Sequence, residues 1–207
     1  MSIRPRMTPV ALILSLLLAT GCAEWAYRQM NDPERDAWQQ PKAVVQALNI
    51  TPGSRVADLG SGGGYFTWYL ADAVGPQGKV YAVDIEEIGL GMIREEAGRR
   101  GIGHVEAVRS TTTDAGLPKP VDLVFTCNTY HHMHDRPAYF RALARSLSST
   151  GRVAIIDYKP TGIAWLFGHS TSEETVRQEM ESAGYQLVEA QEFLPKQHFQ
   201  VFRPARP

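Results

Sequence analysis

Clustered basic residues, internal repeats, charge blocks and low-complexity tracts are all absent from this 207-residue chain. Phosphate recognition needs grouped Lys and Arg, and here those side chains are scattered, which argues against a nucleic-acid partner. Cysteine is scarce: only Cys22 and Cys127 are present, and no acid or cysteine cluster completes a zinc-type spacing. Cys127 ends an apolar strand pattern and reads as a buried small hydrophobe. The apolar stretch Val10-Ala-Leu-Ile-Leu-Ser-Leu-Leu-Leu-Ala19 is too short to span a bilayer as a mature helix. What is present is a composition within the globular range and enough chain for one domain with a real core.

Arg4 and Arg6 ahead of that apolar stretch, and Thr20-Gly21-Cys22 behind it, make a signal-peptide pattern. Small residues before a cysteine resemble the bacterial lipoprotein processing site, although Ala19 stands where that family usually has Leu or Val. The resemblance implies residues 1–21 as a signal peptide, diacylation of Cys22 and a tether over 22–33; Ala23 after the cysteine resembles an outer-membrane sorting signal. The expectation is therefore an exported bacterial lipoprotein at the periplasmic face, held on the membrane by its N-terminal lipid. A plain secretory signal or an uncleaved anchor is the alternative. With Cys22 acylated, no intrachain disulfide forms. Residues 1–21 hold two of the 21 basic residues and none of the 22 acidic ones, so the mature chain has 19 basic groups and a net charge of −3.

From residue 34 to 207 the pattern alternates. A helical segment is expected over about Glu34 to Leu48, with Pro41 as a kink and Thr51-Pro-Gly-Ser54 as its stop. Strands rich in Val, Ile, Leu and Phe are expected at about 55–59, 80–84, 104–109, 121–127 and 152–157. Helices are expected at Tyr65 to Ala73, Glu87 to Arg100, Arg136 to Leu147 and Ser172 to Ala183. Only Ser110 to Pro120 lies between the third and fourth strands, so the usual helix there is expected to be missing or reduced to a turn. Tyr185 to Phe193 and Gln197 to Phe202, separated by Leu194-Pro-Lys196, suggest an antiparallel hairpin. This order predicts an α/β fold: a doubly wound, mostly parallel sheet closed by a C-terminal hairpin.

The first strand runs into Val56-Ala-Asp-Leu-Gly-Ser-Gly-Gly-Gly64, a glycine turn with Asp58 two residues before its first glycine. Glycine lets backbone approach a nucleotide-like ligand closely. A turn built to wrap a pyrophosphate would not carry a carboxylate beside that anion, so Asp58 speaks against a nicotinamide oxidoreductase and for a cationic guest. A sulfonium amino acid with a free ammonium, S-adenosylmethionine, meets that demand. The second strand ends in Asp84, about 20 residues past the glycines, where a ribose-binding carboxylate belongs.

On these residues the chain resembles the class I S-adenosylmethionine-dependent methyltransferases, from about Arg35 to Val201. It is most similar to bacterial proteins with an Arg-Asp-x-Trp-Gln prelude, here Arg35-Asp-Ala-Trp-Gln39, and a His-His pair after the fourth strand. The resemblance implies a Rossmann-like, seven-stranded sheet and S-adenosylmethionine as cofactor, held by Asp58, Gly60, Ser61, Gly62, Gly64, Asp84, Ile85 and Asn128. It also implies an acid near the third strand against the adenine amino group; Asp114 is the candidate, with a solvated turn residue as the other reading. Arg35, Trp38 and Gln39 read as a lid or as core.

Methyl transfer from a sulfonium asks an enzyme for alignment, desolvation and, for a weak nucleophile, proton removal. His131 and His132 lie just past the fourth strand and His169 before the last helix, all on the expected acceptor side. They are the candidate catalytic residues, each with a structural alternative: a loop-holding hydrogen bond for the pair and a cap neighbour for His169. Consecutive histidines on a strand do not easily face one ion, so no metal is expected. The sequence thus reads as a membrane-tethered methyltransferase acting on a small-molecule or lipid-like acceptor. The alternative is a non-catalytic ligand-binding lipoprotein of the same fold.

Overall fold

The computed structural model describes residues 24–25, 27–161 and 168–205. Seven strands form one sheet: Arg55–Leu59 (β1), Lys79–Asp84 (β2), Val105–Arg109 (β3), Val121–Cys127 (β4), Leu147–Tyr158 (β5), Tyr185–Gln191 (β6) and Gln197–Pro204 (β7). Their order across the sheet is β3-β2-β1-β4-β5-β7-β6. The first five run parallel, and β7 pairs antiparallel with both β5 and β6. The sheet is therefore doubly wound, Rossmann-like and mostly parallel, with the expected C-terminal hairpin. Strand order reverses at β1 and β4, which leaves a crevice beyond their carboxyl ends.

Alternation along each strand sends side chains to two separate cores. Val124 of β4 and Val153 and Ile155 of β5 join Phe140, Leu143, Val176 and Met180 on one face. Leu123 and Phe125 of β4 and Ala154 and Ile156 of β5 join Val44, Leu48, Phe66, Leu70 and Val74 on the other. The helices that carry these residues are Pro41–Ala47 (α2), Tyr65–Val74 (α3), Arg136–Leu143 (α5) and Glu173–Ser182 (α6); Glu87–Arg100 (α4) packs on β2 and β3. Phe125 is fully buried, with Phe66 edge-on at a centroid distance of 4.8 Å.

The N-terminal helical segment breaks where proline demands it. Asp36–Gln39 (α1) ends at Gln40, whose φ of 46° is left-handed, and Pro41 then opens α2. Gln39 is buried, and its amide donates to Gln197 Oε1 at 2.5 Å, tying this segment to β7. The fifth strand starts earlier than its apolar run predicts, because Leu147 pairs with Val121 across a register shift. Consequently α5 stops at Leu143, and a short 3-10 turn, Ala144–Ser146, precedes the strand. No helix lies between β3 and β4, as the length of that stretch predicts.

The expectation of a lipidated, exported, membrane-held protein is corrected. Cys22 and residues 1–21 lie outside the described residues, and among the described residues no helix is long and apolar enough to cross a membrane. Within the stretch 22–33, Asn31 Nδ2 donates to the Gly63 carbonyl at 2.7 Å, which places that residue against the glycine turn. A signal peptide, a lipid at Cys22, a membrane partner and a periplasmic or outer-membrane address are withdrawn.

Replacing Phe125 by Ala removes a filled position between α3 and the sheet. Urea unfolding of Phe125→Ala is expected to show a loss of about 3–5 kcal/mol relative to the parent protein; a loss under about 1 kcal/mol would mean that the core closes over the gap.

Candidate active site

A cavity of about 730 Å³ opens at the carboxyl ends of β1, β2, β4 and β5, within the size range of small-molecule sites. Asp58, Gly60, Ser61, Gly62, Asp84, Ile85, Asn128, His131, His132 and His169 all line it. Two candidates do not. Gly64 lies behind the turn, where its φ of 92° lets the chain enter α3. Asp114 is exposed and closes its own turn, its Oδ1 accepting from the Gly116 amide at 2.9 Å. Ser110, Thr111 and Thr112 face the cavity in its place.

The glycine turn is shaped by what touches it. A side chain at Gly60 would meet the Thr129 hydroxyl at 2.1 Å, and its φ of 76° disfavours any other residue. Asp84 holds the turn from the next strand: Oδ2 accepts from the Gly62 amide at 2.8 Å and Oδ1 from the Glu86 amide at 2.9 Å. Asp58 is buried, and its Oδ2 accepts from the Thr67 hydroxyl at 2.6 Å. Burial pushes the Asp58 carboxyl up to about 7; the Thr67 hydrogen bond opposes that rise and the nearby Asp84 charge adds to it. The Ser61 hydroxyl is buried on the same wall with no protein partner. A close-approach backbone, two carboxylates on one wall and an unpartnered hydroxyl fit a cationic, hydroxyl-bearing guest such as S-adenosylmethionine.

The acceptor-side wall is built from histidine. Tyr130–His132 form a 3-10 turn rather than a strand continuation, and both His131 and His132 line the cavity. His131 Nδ1 lies 2.6 Å from Oδ1 of Asp157, a fully buried carboxylate at the end of β5. The rings of His131 and His132 are 4.1 Å apart between centroids, and His169 stands 5.6 Å from His132. Helix α6 takes its cap from Ser172, whose hydroxyl accepts from the Thr175 amide, so His169 is not used for capping. Burial, then the adjacent His131 and His169, lowers the His132 pKa, while Asp157 acts in the opposite sense. A neutral imidazole is thereby favoured, with a lone pair able to accept a proton or bind a metal.

The prelude lies at the rim. Arg35 and Trp38 line the cavity; the Arg35 guanidinium sits 4.0 Å from the Tyr65 ring centroid, and Trp38 stacks on Tyr158 at 5.9 Å. Gln39 instead belongs to a buried polar chain, which continues as Gln197 Nε2 donating to Asn128 Oδ1 at 2.6 Å. Burial pushes the Cys127 thiol up to about 12, so it is an inert neighbour and not a nucleophile. Tyr27 and Asn31 are rim residues that the sequence reading missed. The signal that could have found them is the aromatic content of Trp25-Ala-Tyr27, unusual for a linker.

The family described as a methyltransferase domain matches residues 50–200. Among named relatives, phosphoethanolamine N-methyltransferase 1 of Arabidopsis thaliana is 33% identical over 121 residues, covering 56% of this chain and 23% of that protein. The ubiquinone/menaquinone biosynthesis C-methyltransferase UbiE of Yersinia pestis is 32% identical over 120 residues, covering 56% of this chain and 47% of that one. The chain thus spans about a quarter to a half of the length of these relatives. In structure it is similar to a SAM-dependent methyltransferase from Aquifex aeolicus, at a TM-score of 0.78 and 26% identity, covering 86% of this chain and 97% of the other. The membrane-tethered and non-catalytic lipoprotein readings gain nothing from these likenesses and give way to them. With residues 50–200 matched, the chain belongs to the methyltransferase domain family.

Proposed function

We propose that this enzyme transfers a methyl group from S-adenosylmethionine to a small-molecule acceptor lying against His132 and His169. The observation that carries the reading is one cavity lined by both groups of residues: Asp58 and Asp84 from the first two strands, and the three histidines from beyond the fourth and fifth. Bound there, S-adenosylmethionine supplies a methyl group already activated on a sulfonium. The chain's own work is then alignment, exclusion of water and proton handling.

Each wall has a task. Asp58 attracts the ammonium of the donor, and Asp84 has lone pairs left for the ribose hydroxyls beyond those that hold Gly62 and Glu86. Gly60 and Gly62 keep the backbone close to the donor, and the free Ser61 hydroxyl offers it a hydrogen bond. Ile85 presents an apolar side chain to the adenine, and Asn128 lines the space between donor and acceptor walls. His132, kept neutral, accepts the acceptor's proton, and the His131–Asp157 pair fixes the wall beside it. One named relative is an N-methyltransferase and the other a C-methyltransferase, which supports a small acceptor without favouring one acceptor atom.

Two experiments test these roles. Asp84→Ala is expected to weaken S-adenosylmethionine binding about tenfold or more by calorimetry, whereas His132→Ala keeps that affinity and slows turnover by about 100-fold. Equal losses of binding and turnover in His132→Ala would assign it a structural role. The second experiment is a pH series. An Asp58 carboxyl held up to about 7 is protonated below that value, so affinity for the cationic donor falls as pH drops from 7, approaching about tenfold per unit. Asp58→Asn should bind weakly and lose this slope; an unchanged slope would place the titrating group elsewhere.

A further inference from the structure

The histidine wall has a geometry that proton transfer alone does not require. One donor nitrogen from each of His131, His132 and His169 lies within 4.8 Å of the other two. We propose that these three histidines form a binding site for a divalent transition-metal cation of the zinc class. Imidazole suits such ions, and three protein ligands are the usual complement of a site that keeps its fourth position open.

Three features of the wall favour this. The His131 ring is oriented by the buried Asp157 carboxylate at its Nδ1, which leaves Nε2 as the outward lone pair. A carboxylate behind a ligating histidine is the arrangement that fixes the tautomer and raises ligand basicity at metal centres. Second, the two consecutive imidazoles of the turn over Tyr130–His132 both line the cavity, with their ring centroids 4.1 Å apart. Third, His169 comes from a different part of the chain, beyond β5, and completes the triangle with ring centroids 5.9 Å from His131 and 5.6 Å from His132. Tetrahedral coordination at metal–nitrogen distances of about 2.0–2.1 Å needs the donor atoms somewhat closer than they stand. His132 and His169 are exposed and have room to turn inward.

The fourth position faces the cavity and is open to water or a donor atom of the acceptor. The inference does not rest on methyl transfer, since an ion can bind here with or without the sulfonium donor. It does bear on that chemistry, because a bound ion takes up the lone pairs that otherwise accept a proton.

Cobalt(II) titration of tag-free full-length protein tests it, followed by visible absorption and by calorimetry. Saturable binding of about one equivalent with the intense bands of a tetrahedral site is the expected result. His169→Ala and His132→Ala, both exposed positions, should each weaken binding by at least about tenfold, and Asp157→Asn by about 10–100-fold. S-adenosylmethionine affinity, measured on the same samples, should be retained in His169→Ala. Absence of saturable cobalt binding by the parent protein, or parent-like binding by His169→Ala, would overturn the site.

Discussion

The carboxylate of Asp84 bonded to the Gly62 amide is the contact on which the rest of the site depends, because it joins the end of β2 to the turn that leaves β1. It adds to the backbone hydrogen bonds from the Gly60 and Ser61 amides to the Val83 carbonyl, which already dock the start of the turn on the second strand. With it, the turn is held open as a cradle, and Asp58 is kept at its inner edge by the Thr67 hydroxyl. Two acids on one wall repel each other, and part of the rise in the Asp58 pKa is that repulsion. A cationic guest relieves it.

The sheet topology explains why the two acids and the three histidines line one cavity. Parallel strands with crossover helices put all their carboxyl ends on one edge, and the reversal at β1 and β4 opens a gap there. Asp58 and Asp84 end the strands on one side of the gap, and the histidines follow the strands on the other. The buried chain Gln39–Gln197–Asn128 then ties the N-terminal prelude and the antiparallel hairpin to the loop after β4. Buried amides are costly unless satisfied, so this chain fixes a single arrangement of three segments around the cavity.

What could be read from the sequence was what local chemistry alone determines. The glycine turn and its acids were legible because backbone approach and charge restrict residue choice at those places, and the strands because both of their faces are buried. The start of β5 was not, since Leu147 continues the helical pattern from Arg136 and only its pairing with Val121 makes it the first strand residue. Asp114 has the right residue type in nearly the right place, but its carboxylate closes the local turn at Gly116 instead of reaching the cavity. Tyr27 and Asn31 reach the site through tertiary packing, and the two aromatics of Trp25-Ala-Tyr27 are the one hint of it in residues 24–33. The sequence places His131 and His132 just past the fourth strand without showing the 3-10 turn on which both reach the cavity beside His169.

The central claim is that a carboxylate-lined turn selects a cationic nucleoside over an anionic dinucleotide. Parallel calorimetric titrations of the parent protein with S-adenosylmethionine and with NAD test it most directly. The account predicts one saturable site for the sulfonium and none for the dinucleotide; saturable binding of NAD, with no binding of S-adenosylmethionine up to millimolar concentration, would contradict it.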